Sequence, residues 1–340
     1  MSVGCPSLSE LPDPPPGKAG WPWTKQSDVL PETQPDGSPW PKISIVTPSY
    51  NQGEFIEETI RSILLQGYPN LEYIVVDGGS DDETVDILKK YDPWIDHWVS
   101  EPDRGQSHAI NKGIRECTGS IFNWINADDL LVPHALRRVG RYMKKEDVLV
   151  AQGWHMKSDK ANLFQTNNLS CDALIIGHAD ASGAMFTQQA IWLRTEQVKS
   201  CGGVDTDIEY AMDQDLYIRY LRRYDSVKYI SVPVAVFRLH EESKTGRSKG
   251  HFQKSQHNIL DKLSNDPNFK DKKKLIRWSR SKLNWKQKVR RVWRSESSRF
   301  VKAIEIVKEI YRRPRQRLDR PTLGAILQIV AGYKKPKSKS

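Results

Sequence analysis

From Lys42 onward, short apolar runs alternate with amphipathic segments, and that alternation restricts the chain to a mostly parallel sheet covered by helices on both faces. ISIVTP reads as a buried strand. EFIEETIRSILLQ reads as a helix with Phe55, Ile56, Ile60, Ile63 and Leu64 on one face, and LEYIVVDGG as a second buried strand. Helix DETVDILKKY, strand IDHWVSE, helix QSHAINKGIREC and strand SIFNWIN continue the pattern. Beyond them, PHALRRVGRYMKK predicts a helix and EDVLVAQGW a strand. A strand pair or loop then leads to a short helix closed by Gly202 and Gly203, YAMDQDLYIRYLRRY predicts a further helix, and strand-like VKYISVPVAVFRLH ends the body.

Sheets of this kind bind ligands at the carboxyl ends of their strands. There the sequence stops being apolar: Thr47 to Asn51, Asp77 to Ser80, Glu101 to Arg104, and the adjacent pair Asp128 and Asp129. Two neighbouring carboxylates resist burial unless a cation sits beside them. No GxGxxG follows YIVVD and no Walker GKS or GKT occurs, which removes dinucleotide dehydrogenases and P-loop enzymes. Acids at strand ends with Arg104 nearby suit Mg²⁺ or Mn²⁺ bridging to a diphosphate. The structural alternatives are turn and cap roles for Asp77 and Asp81, capping of the helix after Pro133 by Asp128 and Asp129, and dipole pairing for Asp213 and Asp215.

The segments ISIVTPSYNQGEFIEETIRSILLQGYPNLEYIVVDGGSDDET, WVSEPDRGQSHAINKGI and NADD, followed in order by GGVD, YAMDQDL and FRLH, resemble family 2 glycosyltransferases of the GT-A fold, from about Trp40 to Lys244. PWPKISIVTPSYNQG resembles a subgroup of bacterial cell-surface polysaccharide enzymes. The resemblance implies an α/β fold with a nucleotide-binding sheet. It implies Thr47, Pro48 and Tyr50 around the base of a nucleoside-diphosphate sugar, Asp77 accepting a hydrogen bond from that base, and Arg104 and Asn111 along the ribose and diphosphate. Asp128 would face the ribose and Asp129 would ligate Mg²⁺ or Mn²⁺, with His240 able to reach the metal or the diphosphate. Asp213 is the implied catalytic base, with Asp215 behind it. Asn126 stands where the family commonly has an aspartate, which leaves fewer charges on the metal. The implied reaction is inverting transfer to a hydroxyl of a saccharide or lipid-linked acceptor, in cell-surface polysaccharide or glycolipid synthesis. The alternative is a non-catalytic sugar-nucleotide-binding scaffold in a polysaccharide assembly complex.

Three regions are expected: a Pro/Trp-rich extended arm at 1–41, the transferase domain at 42–245 and a basic helical tail at 246–340. Pro and Gly density forbids regular structure in the arm, and Trp21, Trp23 and Trp40 predict that part of it lies against the body. Residues 270–340 hold 24 Lys and Arg against 5 Asp and Glu, so within a net charge of +10 the tail carries +19 and the rest −9. Leu275, Trp278, Trp285, Val289, Val292 and Trp293 form an apolar stripe, which suits an interfacial helix on an anionic membrane surface or packing on the body. Nucleic acid is not the expected partner. No apolar run approaches the roughly 20 residues of a membrane span, and the first residues lack a secretory pattern. A cytoplasmic protein, peripheral at the inner face of the plasma membrane, is the expectation. The four cysteines lack metal-ligand spacing and read as free thiols.

Overall fold

The computed structural model describes residues 5–158, 160–179, 183–241, 243–244, 251–295, 301–302, 304–306 and 308. The chain divides into two compact units, one of residues 1–171 and 185–256, the other of 172–184 and 257–340.

The first unit contains a nine-stranded sheet among its described residues. Strands β1 (Ile43–Ser49), β2 (Leu71–Asp77), β3 (His97–Ser100) and β4 (Ile121–Trp124) form a parallel block in the order β3-β2-β1-β4. Their connections are α1 (Gly53–Leu64), α2 (Thr84–Tyr91) and α3 (Gln106–Glu116), as the alternating sequence demands. Each of β1, β2 and β4 is buried along its whole length, which is why they read as unbroken apolar runs.

The sheet then changes character. Two-residue β5 (Leu130–Leu131) pairs antiparallel with β9 (Val227–Arg238), while β6 (Val148–Lys157) lies between β9 and β8 (Ile191–Arg194) and also pairs with β7 (Lys160–Gln165). Neither β5 nor β7 is evident in the sequence: β5 is too short to show a period, and β7 is a half-exposed hairpin partner. In the region read as a strand pair or loop, β8 forms alone, followed by α6 (Thr195–Ser200), and both Gly202 and Gly203 adopt positive φ after that helix. Helices α4 (Ala135–Tyr142) and α7 (Met212–Leu221) complete this unit, whereas α5 (Cys171–Ile176) belongs from Asp172 onward to the second.

Ile56, Ile60, Ile63 and Leu64 of α1 are buried as their spacing predicts, whereas Phe55 stays half-exposed and stacks on His240 at 4.6 Å. Residues 5–41 form turns and one isolated bridge, Thr33 to Pro39. They are fastened to the first unit by Arg61, which is fully buried on α1 and donates to the carbonyls of Pro12, Pro22 and Trp23 and to the Tyr91 hydroxyl. Trp23 and Trp40 are buried, and the Trp21 indole donates to Leu131 O at 2.9 Å.

In the second unit, α8 (His251–Asn265, from His257) packs beside α9 (Lys273–Arg294). Arg280 Nη2 of α9 donates to Leu260 O and Ser264 Oγ and pairs with Asp261. Of the apolar stripe, Trp285, Val289 and Val292 are buried, Leu275 is half-buried and Trp278 is 38% exposed; the Trp293 side chain lies outside the described residues. Residues 246–250, 296–300 and 309–340 of the expected tail also lie outside them. Among the described residues no helix is long and apolar enough to cross a membrane, and the described cysteines are free thiols.

Candidate functional site

A cleft of about 860 Å³ opens in the first unit at the carboxyl ends of β1, β2 and β4. Its walls include Pro48 and Tyr50 after β1, Gly78 and Gly79 after β2, Asp103 and Gln106 at the start of α3, and Asn126 and Asp128 after β4. Glu209, Tyr210, Phe237 and Lys244 close the remaining side. Tyr50 is 61% exposed, a free aromatic face beside two residues without side chains.

The turn after β4 decides what each acid can do. Asp129 N donates to Asn126 O at 2.9 Å, closing a tight turn that sends adjacent side chains in opposite directions. Asp129 goes inward and is fully buried. Its Oδ1 accepts from Arg238 N at 3.1 Å, and its Oδ2 accepts from Asn126 Nδ2 at 2.9 Å and from the Gln189 amide. Burial first, and the neighbouring Asp128 second, raise its pKa well above the ordinary carboxylate range. The metal-ligand role that the resemblance implies for Asp129 does not match this placement: both oxygens accept from protein donors, and the side chain is fully buried and outside the cleft lining. Three N–H donors offset the cost of burying this inner acid.

Asp128 goes outward. Its Oδ2 lies 3.0 Å from His240 Nε2, with side chains 19% and 22% exposed, and the Phe55 ring backs the imidazole. Arg238 holds this arrangement in place, donating to Asp128 O and pairing with Glu58 at 2.6 Å. Among the described residues no cluster of three or more His, Cys, Asp or Glu is placed to hold a metal. Asp128 lines the cleft and His240 stands behind it, bonded to its Oδ2; one carboxylate and one adjacent imidazole form a donor set that fits a divalent cation completing its shell with phosphate and water oxygens.

Other expected residues divide between cleft and scaffold. Pro48 and Tyr50 line the cleft, whereas Thr47 lies within β1, fully buried, its hydroxyl 3.1 Å from Tyr73 Oη. Asp77 is also fully buried. It accepts from Gly79 N, Ser80 N, Ser80 Oγ and Ser100 Oγ, so it shapes the Gly78–Gly79 wall from behind. Arg104 is exposed at the rim, next to the lining residues Asp103 and Gly105. Asn111 does not face a ligand: its amide nitrogen donates to Val204 O at 2.7 Å and its oxygen accepts from Val204 N at 2.9 Å. Gly203 beside it has φ +69°, and a Cβ there would stand 2.4 Å from Asn111 Oδ1. The expected ribose role is corrected to a clasp on this turn.

Asp213 lies at the start of α7, its Oδ1 accepting from Gln214 N at 2.8 Å. Burial raises its pKa, with Lys244 pulling the other way. Asp215 is buried and paired with Arg219 at 2.8 Å, which removes it as a second base. Residues that sequence reasoning missed are Gln106, Gln189, Phe237 and Lys244. Gln106 sits inside DRGQSHAIN, Phe237 opens FRLH and Lys244 lies just past it, so proximity to motifs already singled out was the available signal; Gln189 had none.

Residues 44–200 match the model of glycosyl transferase family 2. An uncharacterized glycosyltransferase of Rickettsia typhi is 28% identical over 217 residues, 60% of this chain and 66% of that protein, and one of Rickettsia prowazekii is 28% identical over 194 residues, 54% and 59%. The chain thus spans less than two thirds of the length of these two relatives. Among solved structures, S. aureus TarS 1–349 superposes with a TM-score of 0.57 at 16% identity, covering 85% of this chain and 81% of that one. The mannosyltransferase PcManGT from Pyrobaculum calidifontis, in complex with GDP-Man and Mn²⁺, does so with 0.52 at 18%, covering 92% of each. The fold is of the GT-A type.

Proposed function

We propose that the chain, whose residues 44–200 match the model of glycosyl transferase family 2, moves a sugar from a nucleoside-diphosphate sugar to an acceptor hydroxyl, with inversion at the anomeric carbon. The observation that carries this reading is Asp128, paired with His240, in the wall of an 860 Å³ cleft that also holds the exposed Tyr50. Pro48 and Tyr50 take the donor base, and the Gly78–Gly79 wall lets the nucleoside approach the backbone. Asp128 Oδ2 and His240 Nε2 would hold Mg²⁺ or Mn²⁺, which when bound stabilises the departing diphosphate as a Lewis acid. Support for this comes from PcManGT, solved with GDP-Man and Mn²⁺, and from TarS, solved with UDP-GlcNAc.

Asp213 takes the acceptor proton. The bond from the acceptor oxygen to the anomeric carbon forms, the bond from that carbon to the diphosphate oxygen breaks, and the electron pair leaves with the nucleoside diphosphate. A carboxyl raised by burial is a better proton acceptor than a solvated one, and such general-base help is commonly worth ~10²–10⁴-fold. The acceptor is a saccharide or lipid-linked glycan in cell-surface polysaccharide or glycolipid synthesis, and the basic tail favours an anionic membrane surface as the place of reaction.

Full-length protein with Mn²⁺ and UDP-, GDP- or dTDP-sugars should release nucleoside diphosphate, faster when a glycan acceptor is added. Donor binding without release would overturn transfer and leave the scaffold reading.

A further inference from the structure

Among the described residues Lys244 is a cation without an ion-pair partner, in a place that disfavours isolated charge. It lines the cleft, half-buried, and among the described residues its ammonium has only two partners: Gln106 Oε1 at 3.2 Å and the Tyr210 ring, 5.2 Å from Nζ to the centroid. Burial pulls its pKa below the ordinary lysine value, with Glu209 and Asp213 acting the other way. Neither acid is within ion-pair distance.

Gln106 can present its oxygen to Lys244 only because its nitrogen is engaged elsewhere. Gln106 Nε2 donates to Asn126 Oδ1 at 2.8 Å, and Asn126 Nδ2 donates to Asp129 Oδ2 at 2.9 Å. Three amide and carboxylate groups therefore form one directional chain from the buried Asp129 to the cleft. Position 126 must accept on one side and donate on the other, which an amide does and a carboxylate does not. An ionised aspartate there would set two acceptor oxygens against each other, with no N–H left to donate to Asp129 Oδ2. The residue at 126 that departs from the commoner acid is thus the one that this hydrogen-bond chain requires.

We propose that Lys244, held by Gln106 and Asn126, supplies a fixed positive charge to the diphosphate of the donor, and that the asparagine at 126 is what keeps this lysine oriented and unpaired. This rests on the nucleotide-sugar reading of the cleft. Asp128 reaches the cleft from the β4 turn, with His240 beside it just after β9; Lys244 adds a cation from a separate position, compensating for a metal site of only two side chains. Lys244 would touch the donor, while Gln106 and Asn126 are positioning residues.

The test titrates UDP and GDP into the full-length protein at fixed Mn²⁺ and several salt concentrations. Lys244→Met should weaken diphosphate binding by about tenfold to hundredfold and flatten its salt dependence, since one screened attraction is gone. Lys244→Arg should recover most of the affinity. Gln106→Glu keeps the lysine and the side-chain length but places a carboxylate against Nζ, and it should weaken binding nearly as much as Lys244→Met with an unchanged circular dichroism spectrum. Lys244→Met with affinity within twofold of the parent and the same salt dependence would overturn the role of Lys244, and an unaffected Gln106→Glu would overturn the positioning chain. A parent protein that binds neither UDP nor GDP would instead strike the nucleotide-sugar reading, and the assignment of Lys244 would fall with it.

Discussion

Asp128 and Asp129 are chemically identical neighbours with opposite tasks, and mutation should separate them. Asp128→Asn removes a charge that faces the cleft, so it should abolish the Mn²⁺ dependence of donor binding in calorimetry while moving unfolding stability by less than about 1 kcal/mol. Asp129→Ala leaves Arg238 N and the Asn126 and Gln189 amides without their acceptor. It should cost about 2–4 kcal/mol in urea unfolding, since each stranded donor costs on the order of 1–3 kcal/mol. Asp213→Asn should leave UDP or GDP affinity near normal and cut turnover by ~10²–10⁴-fold. The parent's rate should rise with pH through a point above the ordinary carboxylate range, because burial raises the Asp213 pKa and only the ionised form accepts a proton; the asparagine variant should lose that limb. The acids themselves were legible in the sequence. Their division of labour was not, because it depends on a turn whose direction is set by the hydrogen bond from Asp129 N to Asn126 O, and periodicity carries no information about a single turn.

Strands and helices were legible wherever burial imposed a period or an unbroken apolar run, as in β1, α1, β2 and β4. Short β5 escaped because two residues have no period, and Phe55 was misplaced because the helical stripe continues past the core to the His240 ring. Contacts that join elements also have no local signature. Glu72 on β2 is one: it accepts from Lys42 at 2.7 Å, from Ser44 on β1, and from Thr118 in the turn before β4. Burial acts to raise its pKa, but these hydrogen bonds outweigh it and hold the pKa down to about 2. A carboxylate depressed in the folded state adds stability above its unfolded pKa of about 4.3 and loses it as pH falls toward 2. Glu72→Gln should therefore destabilise by about 1–3 kcal/mol at pH 7, and the difference from the parent should shrink steadily between pH 4.5 and pH 2 in acid titrations followed by circular dichroism.

At the scale of the whole chain, charge and apolar surface have parted company. A helix lying on lipid needs its apolar stripe free, yet Trp285, Val289 and Val292 are buried and Trp278, the most open of the described stripe residues, is still mostly covered. The stripe was legible in the sequence, but which surface it meets was not, because amphipathic spacing is the same for a helix against protein and a helix against lipid. The +19 of residues 270–340 is independent of that packing, and each Lys or Arg near an anionic surface contributes on the order of 1 kcal/mol, which salt screens within a Debye length of roughly 10 Å at 0.1 M. The full-length protein should float with anionic vesicles at low salt, stay behind with neutral ones, and be released almost completely by high salt, with no salt-resistant fraction from buried tryptophan. Deleting residues 309–340 removes nine Lys and Arg against two acids and spares the sequence of α8 and α9, so it should lower the salt needed for release. Flotation that persists at high salt would mean that the stripe leaves its packing to enter the bilayer, and flotation unchanged by the deletion would place the membrane-facing charge on α9 itself.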